Sequence, residues 1–392
     1  MANPPIRGYS LPTILRHGPG AVAALPDAVA ELGLRRPMIV TDTGVARAGL
    51  LERITRPLDA AGQAFLVFTE VVPNPPAALV DRGARVYRDE QCDGLIGLGG
   101  GSSLDTAKAI GVVAANGGSI LDYRWAAPQP IRRRIPPTIA IPTTAGTGSE
   151  VTLWAVITDP ERQVKFNVGG TADIGPWLAL LDPELTLGLP PRITAATGMD
   201  ALAHAVECYT CDYAQPLTDA TALLAMEYVG QYLHVAFASG NDIEARYKMM
   251  MAAMLGGMSY GTESAGAAHA MSQSAGGIHD VPHGDLTARL LAPVMEYNCP
   301  AAPHKFARIA QALGEDIHGL TVERAAEKAV AAVYRLTEEL RIPTLQDLGF
   351  TEEEIPHLAK IAEEDPQTIG NPRPIDRQGY EKLWRRAMSV RP

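Results

Sequence analysis

Cysteine is scarce in this chain: four among 392 residues, Cys92, Cys208, Cys211 and Cys299. So few thiols exclude a disulfide framework as the basis of the fold. Cys208 and Cys211 form a lone CxxC inside a helical pattern. There is no second pair to complete a zinc site and no strand-to-helix setting for a redox dithiol, so the pair reads as structural. Positive charge is also short. Against 44 Asp and Glu stand 34 Lys and Arg, a net charge of −10, which disfavours nucleic acid or an anionic membrane surface as partner. The run Arg132-Arg133-Arg134 is too short to reverse this and reads as a solvated loop. No stretch of about 18 apolar residues is free of charges and breakers, so no membrane span is expected. The opening MANPPIRGYSLPT lacks a basic-then-apolar export pattern, and the expected location is cytoplasmic.

What is present is an ordinary globular composition, 46% hydrophobic and 20% charged, in a chain long enough for two domains. The first half alternates short apolar runs with helical patterns. Residues 35–42, 64–74, 92–101, 138–150, 152–161 and 177–185 read as strands, with helices over 77–90 and 105–116. This alternation predicts a doubly wound, mainly parallel, Rossmann-like α/β sheet. Beyond LDPELTLGLPP the pattern becomes long, Ala-, Met- and Leu-rich and helical, at 216–235, 242–260, 302–313, 320–340 and 351–364. The expected organisation is an α/β dinucleotide-binding domain over 1–185 and an all-helical metal-binding domain over 186–392.

Two loops of the first half look built for a nucleotide. Gly97-Leu98-Gly99-Gly100-Gly101-Ser102 follows an apolar run and precedes a helix. Glycines there let the backbone approach a pyrophosphate, and the helix start offers N–H groups. The match to GxGxxG is imperfect, since Ser102 takes the last position, and a plain strand–helix turn is the competing reading. Asp122 is poorly placed as a ribose ligand. Asp42, closing PMIVTD, is better, and a carboxylate there would favour NAD over NADP; the bland alternative is an N-cap. The loop PTTAGTGSEVT adds the hydroxyls of Thr143, Thr144, Thr147 and Ser149 at a strand's C-terminal end.

The second half carries a candidate metal site. Asp200 and His204, in GMDALAHAVECY, lie one helical turn apart, and a buried lone carboxylate needs a partner or a cation. His269 and His283 follow in a low-charge, Gly-rich stretch. One carboxylate with neutral imidazoles suits Fe(II), Zn(II) or Mn(II), and four protein ligands lean towards iron. His279 could face the substrate or support the ligands, or it could be a surface histidine. His17, His234, His304, His318 and His357 are scattered and read as structural or surface residues.

Taken together, GGGSSLDTAK, PTTAGTGSEVT, GMDALAHAVE and HAMSQSAGGIHDVPHG resemble the iron-containing (group III) alcohol dehydrogenases over nearly the whole chain. The resemblance implies that family's two-domain, dehydroquinate synthase-like architecture and a site in the cleft between the domains. It implies metal ligation by Asp200, His204, His269 and His283. It implies cofactor contacts at Asp42, Gly99, Gly100, Ser102, Asp105, Thr143, Thr144, Thr147, Ser149 and Lys165. A substrate wall of Trp154, Tyr260 and Gln367 and a homodimer or larger homo-oligomer are also implied. One departure stands out: Gln273 occupies a position where many members carry a second histidine, and glutamine cannot relay a proton. The expected reaction is hydride exchange between NAD(H) and a small primary alcohol or its aldehyde, assisted by a divalent metal. Arg124 or Arg373 could meet a polar tail. The alternatives are a reductase of a phosphono-, sulfo- or hydroxy-aldehyde, a dehydroquinate synthase-like lyase, and a non-catalytic nucleotide-binding protein.

Overall fold

The computed structural model describes residues 6–125, 127, 129–260, 265–279 and 281–390. Among these residues eight strands lie in the first half: β1 (Ile14–His17), β2 (Pro37–Asp42), β3 (Leu66–Val71), β4 (Gly94–Gly99), β5 (Thr138–Pro142), β6 (Trp154–Asp159), β7 (Val164–Gly169) and β8 (Leu178–Leu181). Between them run α1 (Leu25–Glu31), α2 (Thr43–Arg47), α3 (Leu50–Ala60), α4 (Ala77–Asp89) and α5 (Gly101–Asn116). Among the described residues nine α-helices follow: α6 (Pro191–Thr210), α7 (Pro216–Ala238), α8 (Ile243–Tyr260), α9 (Ala267–Ile278), α10 (His283–Asn298), α11 (Pro303–Ala312), α12 (Val322–Glu339), α13 (Ile355–Glu364) and α14 (Arg377–Ser389). Among the described residues no helix is long and apolar enough to cross a membrane.

Six strands form one parallel sheet in the order β1-β8-β5-β4-β2-β3. Its central strands β4, β5 and β8 are buried throughout, which is why they read as unbroken apolar runs rather than alternating ones. The C-terminal ends of β2, β4 and β5 lie side by side, bringing Asp42, the glycine turn and the Thr/Ser loop to one edge. Thr143 N–H donates to Gly99 C=O at 2.9 Å, continuing the β4–β5 pairing into the loops. The parallel sheet followed by helices is as expected, with two differences. β6 is not part of the main sheet. It pairs antiparallel with β7 as a separate two-stranded sheet, and it carries the alternating burial of such a ribbon. The short edge strand β1 carries only four residues, two of them exposed, too weak a pattern to register as a strand.

The two halves share a core. Leu104, Ala140, Ala179 and Leu181 from the sheet side pack in one cluster with Ala195, Met199 and Leu202 of α6 and Met249 and Ala253 of α8. Helix α6 is buried on nearly every face, as expected of a helix at the centre of a bundle. The Thr/Ser loop after β5 meets the helices backbone to backbone. Gly148 has φ +61°, and a Cβ there would lie 2.6 Å from Gly257 Cα of α8. Glycine is needed both for the dihedral and for the contact. Gly148→Ala is therefore expected to lower unfolding stability by about 2–4 kcal/mol, combining left-handed strain with overpacking. Denaturant unfolding measures this, and an unchanged midpoint would show that the loop is not pinned there.

Candidate active site

Helix α6 sets the floor of the site. Asp200 and His204 lie one turn apart on it and are both buried. His269 stands on α9, and His283 opens α10. Donor atoms of Asp200, His269 and His283 all lie within 4.8 Å of one another. Asp200 Oδ1 is 3.8 Å from His269 Nε2 and 3.6 Å from His283 Nε2. His204 adjoins this trio without joining it: its Nδ1 is 4.0 Å from Asp200 Oδ2, and its ring centroid is 4.4 Å from that of His269. Asp200 Oδ1, His204 Nδ1 and His269 Nε2 are buried and have no hydrogen-bond partner. Buried polar atoms are ordinarily paired, so the orphaned Asp200 and His269 atoms facing each other, with a third on adjacent His204, fit a divalent cation held by a carboxylate and imidazoles.

The electrostatics agree with that fit. Burial opposes ionisation of Asp200, but the imidazoles, His204 foremost, outweigh it and hold the carboxyl below its usual range. Burial lowers His204 to about 4 and His283 to about 3, so both are neutral with a lone pair to offer. His269 is drawn the other way: burial depresses it, but Glu207 more than compensates and raises it. Glu207, on α6, contacts His269 Nδ1 and accepts the N–H groups of Ala268 at 2.7 Å and His269 at 3.3 Å. The sequence reading passed over Glu207, although its spacing, three after His204 and seven after Asp200, puts it on the same helical face.

A cavity of about 650 Å³ joins these residues to the glycine turn and the Thr/Ser loop, with Gly100, Ser102, Asp105, Thr144, Thr147, Ser149 and Lys165 on its lining. Gly99 has φ +143°, and a Cβ on it would lie 2.5 Å from Ser103 Oγ. The N-cap of α5, Gly100, brings no side-chain cap, so the first turn presents its N–H groups to the cleft. Asp42, Gly99 and Thr143 are not on that lining. The Asp42 carboxylate caps α2 through Val45 N–H at 2.9 Å and accepts Ser103 Oγ at 3.3 Å. It stands beside the glycine turn, doing the work of an N-cap. Asp105 accepts from Ser149 Oγ and from Val156 N–H, and pairs with Lys108. Fully buried Lys108 donates to Ser149 C=O at 3.0 Å, to Thr152 Oγ1 at 3.2 Å and to Trp154 C=O. This buried group fastens the Thr/Ser loop and β6 to α5, a role the sequence did not disclose.

Trp154, Tyr260 and Gln273 also line the cavity. Trp154 Nε1 and Gln273 Oε1 are buried without a partner, and Gln273 Nε2 reaches Asn167 Oδ1 at 3.4 Å. Gln367 stands behind the wall and accepts the Tyr260 hydroxyl at 2.7 Å. His279 departs from the expectation of a substrate-facing residue. Its ring packs on Phe350, its Nε2 pairs with Glu354 at 2.6 Å, and it is absent from the lining. Neither Arg124 nor Arg373 lines the cavity: Arg124 pairs with Asp159, and Arg373 lies over the Tyr297 ring. The arginine that does line it is Arg192, paired with buried Asp285. Cys208 and Cys211 are buried, with both thiols pushed up by burial, in keeping with a structural role.

Comparison with known proteins places this geometry among relatives. Residues 12–183 match a family model described as iron-containing alcohol dehydrogenase. Residues 194–388 match the Fe-containing alcohol dehydrogenase family, C-terminal. The chain is 51% identical to a choline dehydrogenase of Bacillus subtilis, over 98% of this chain and 96% of the relative. It is 40% identical to an NAD-dependent methanol dehydrogenase of Bacillus methanolicus, over 95% and 97% respectively. The crystal structure of a 1,3-propanediol oxidoreductase superposes with a TM-score of 0.94 at 39% identity, covering 98% of this chain and all of that one.

The network that fastens the Thr/Ser loop has a measurable pH signature. Glu150, beside Lys108, is raised by burial from its ordinary 4.5 to about 7, with its own backbone and Lys108 opposing. The folded protein thus keeps this proton up to about pH 7, while the unfolded chain releases it near 4.5. Stability accordingly falls as pH rises through that window and is flat above it. Glu150→Gln should remove this loss, worth about 3 kcal/mol at pH 8. Unfolding by denaturant at pH 5 and pH 8 tests it; equal slopes with pH in both proteins would refute it.

Proposed function

The chain belongs to the iron-containing alcohol dehydrogenase family, and on that premise we propose that it is an NAD(H)-linked, metal-dependent oxidoreductase interconverting a small primary alcohol and its aldehyde. The observation that carries this reading is the convergence of Asp200, His269 and His283 donor atoms, two of them unpartnered, inside the cleft onto which the uncapped start of α5 opens. On this reading residues 1–185 are the dinucleotide-binding domain and 186–392 the metal-binding domain. Asp200, His204, His269 and His283 would hold the ion, with His204 standing beside the other three. When bound, the metal supplies Lewis acidity towards the alcohol oxygen and the nicotinamide takes up the hydride.

The remaining work belongs to the chain. Gly100, Ser102 and the first turn of α5 receive the pyrophosphate, and Thr144, Thr147, Ser149 and Lys165 orient the rest of the dinucleotide. Asp42 meets the ribose hydroxyls and disfavours a 2′-phosphate. Trp154 and Tyr260 wall the reacting end and exclude water, with Gln367 holding Tyr260 in place. Gln273 hydrogen-bonds substrate but carries no titratable proton. Among the described residues, the proposed ligands are the only imidazoles on the cavity lining, so no free imidazole there relays the alcohol proton.

The aromatic wall and the neutral Gln273 suit an alcohol whose tail is uncharged or a quaternary ammonium, which aromatic faces attract. The relative named a choline dehydrogenase points the same way. A second reading, a reductase of an aldehyde with an anionic tail, draws on Arg192 at the lining. A panel of choline, 1,3-propanediol, propanol and sulfonated or phosphonated aldehydes with NAD(H) and NADP(H), run on protein of known metal content, separates them. Choline turned over well above the anionic substrates supports the first reading; the reverse order supports the second.

His283→Ala should lower turnover by more than about 100-fold, since even outer-shell partners of a metal are worth about 10–100-fold, while NAD+ binding largely survives. Retained turnover would overturn the ligand assignment. Asp42→Gly should raise the use of NADP+ relative to NAD+; an unchanged ratio would leave Asp42 as an N-cap only.

A further inference from the structure

The buried carboxylate of Glu207 touches both the backbone and the ring of His269. The N-cap of α9 is Gly266, which offers no side chain to the helix start. The first N–H groups of a helix have no intrahelical acceptor, and here Glu207, reaching across from α6, accepts those of Ala268 and His269. A Cβ on Gly266 would lie 2.7 Å from Glu207 Oε1, so glycine is what allows the carboxylate so close. The oxygen that accepts His269 N–H also contacts His269 Nδ1, while His269 Nε2 points at Asp200 and has no other partner. Further along α9, Ser272 Oγ lies 3.0 Å from His283 Nδ1. The placement of α9 therefore governs two of the four proposed ligands, and Asp200 and His204 stand on the helix that supplies Glu207.

We infer that Glu207 is the positioning residue of the metal centre: it fixes the start of α9 and keeps the His269 proton on Nδ1, leaving the Nε2 lone pair for the ion. The inference rests on the metal-dependent reading above. Outer-shell carboxylates of this kind orient a ligand imidazole and raise its basicity. Glu207→Gln is the informative variant because it is isosteric. Its amide oxygen can still accept Ala268 N–H, but its NH2 would face both the His269 N–H and the His269 ring as a donor. That geometry favours the opposite tautomer, with the proton on Nε2 where the metal must bind.

The test measures Co2+ and Zn2+ affinity of the whole, metal-stripped protein by competition with a chromophoric chelator, with the Co2+ visible spectrum as a coordination signature. Thermal unfolding of each metal-free protein is recorded alongside. Glu207→Gln should weaken metal binding about 10–100-fold and alter the Co2+ spectrum, beyond what any fall in metal-free melting accounts for. Thr321→Ala removes a remote N-cap on α12 and should do the reverse, lowering melting and leaving metal affinity intact. Wild-type affinity in Glu207→Gln, or a loss no greater than its fall in metal-free melting accounts for, would overturn the inference. Wild-type protein that binds neither ion would instead overturn the metal-dependent reading itself.

Discussion

A carboxylate with almost no exposure to water is costly to ionise unless something compensates it, and Asp200 is such a group. Imidazoles surround it, one of its oxygens is unpartnered, and its pKa is nonetheless held low. Much else in the helical half follows from accommodating that charge. α6 is apolar around the carboxylate and carries His204 one turn on and Glu207 one turn further. α9 and α10 start where they can bring His269 and His283 to it. The low pKa values of His204 and His283 and the raised one of His269 reflect a single field, set by burial, Asp200 and Glu207.

The other half of the cleft depends on backbone approach rather than on charge. The Thr/Ser loop reaches the helices only because Gly148 and Gly257 leave no side chains between them. The same loop is fastened from below by fully buried Lys108, whose ammonium is shared among Asp105 and main-chain oxygens at Ser149 and Trp154. The Thr/Ser hydroxyls, the β6–β7 ribbon and the cavity wall at Trp154 are thereby tied to one helix, α5, whose first turn faces the cleft. Reagents held on the two sides would meet at a distance set by these contacts.

Much of the fold was legible because burial leaves a pattern in composition. β2, β4, β5 and β8 are apolar runs because both faces of the sheet are covered, and α6 to α8 are long and Ala- and Met-rich because they pack on one another. Hydrogen-bonding partners leave no such mark. Nothing in TLWAVITDPE states that β6 pairs with β7 instead of joining the parallel sheet, and β1 is too short and too exposed to announce itself. The four proposed ligand residues stood out as rare side chains at suggestive spacing. Glu207 did not, since a glutamate on a helix is commonplace until its burial and its partner are known.

By itself the sequence determined the order of α/β region and helices, the glycine turn, the hydroxyl loop and the Asp/His/His/His set. These are local signals, written by periodicity and by residues with few alternative uses. Only tertiary structure decided which of these side chains meet. It joined Asp200 to His269 and His283 within ligand distance and left His204 one ring aside. It sent His279 to Glu354 and Phe350 and set Gln367 behind Tyr260. It also put Arg192, not Arg124 or Arg373, on the cleft. The reason is physical: spacing along a helix specifies a face, but which element that face meets depends on packing among segments far apart in the chain.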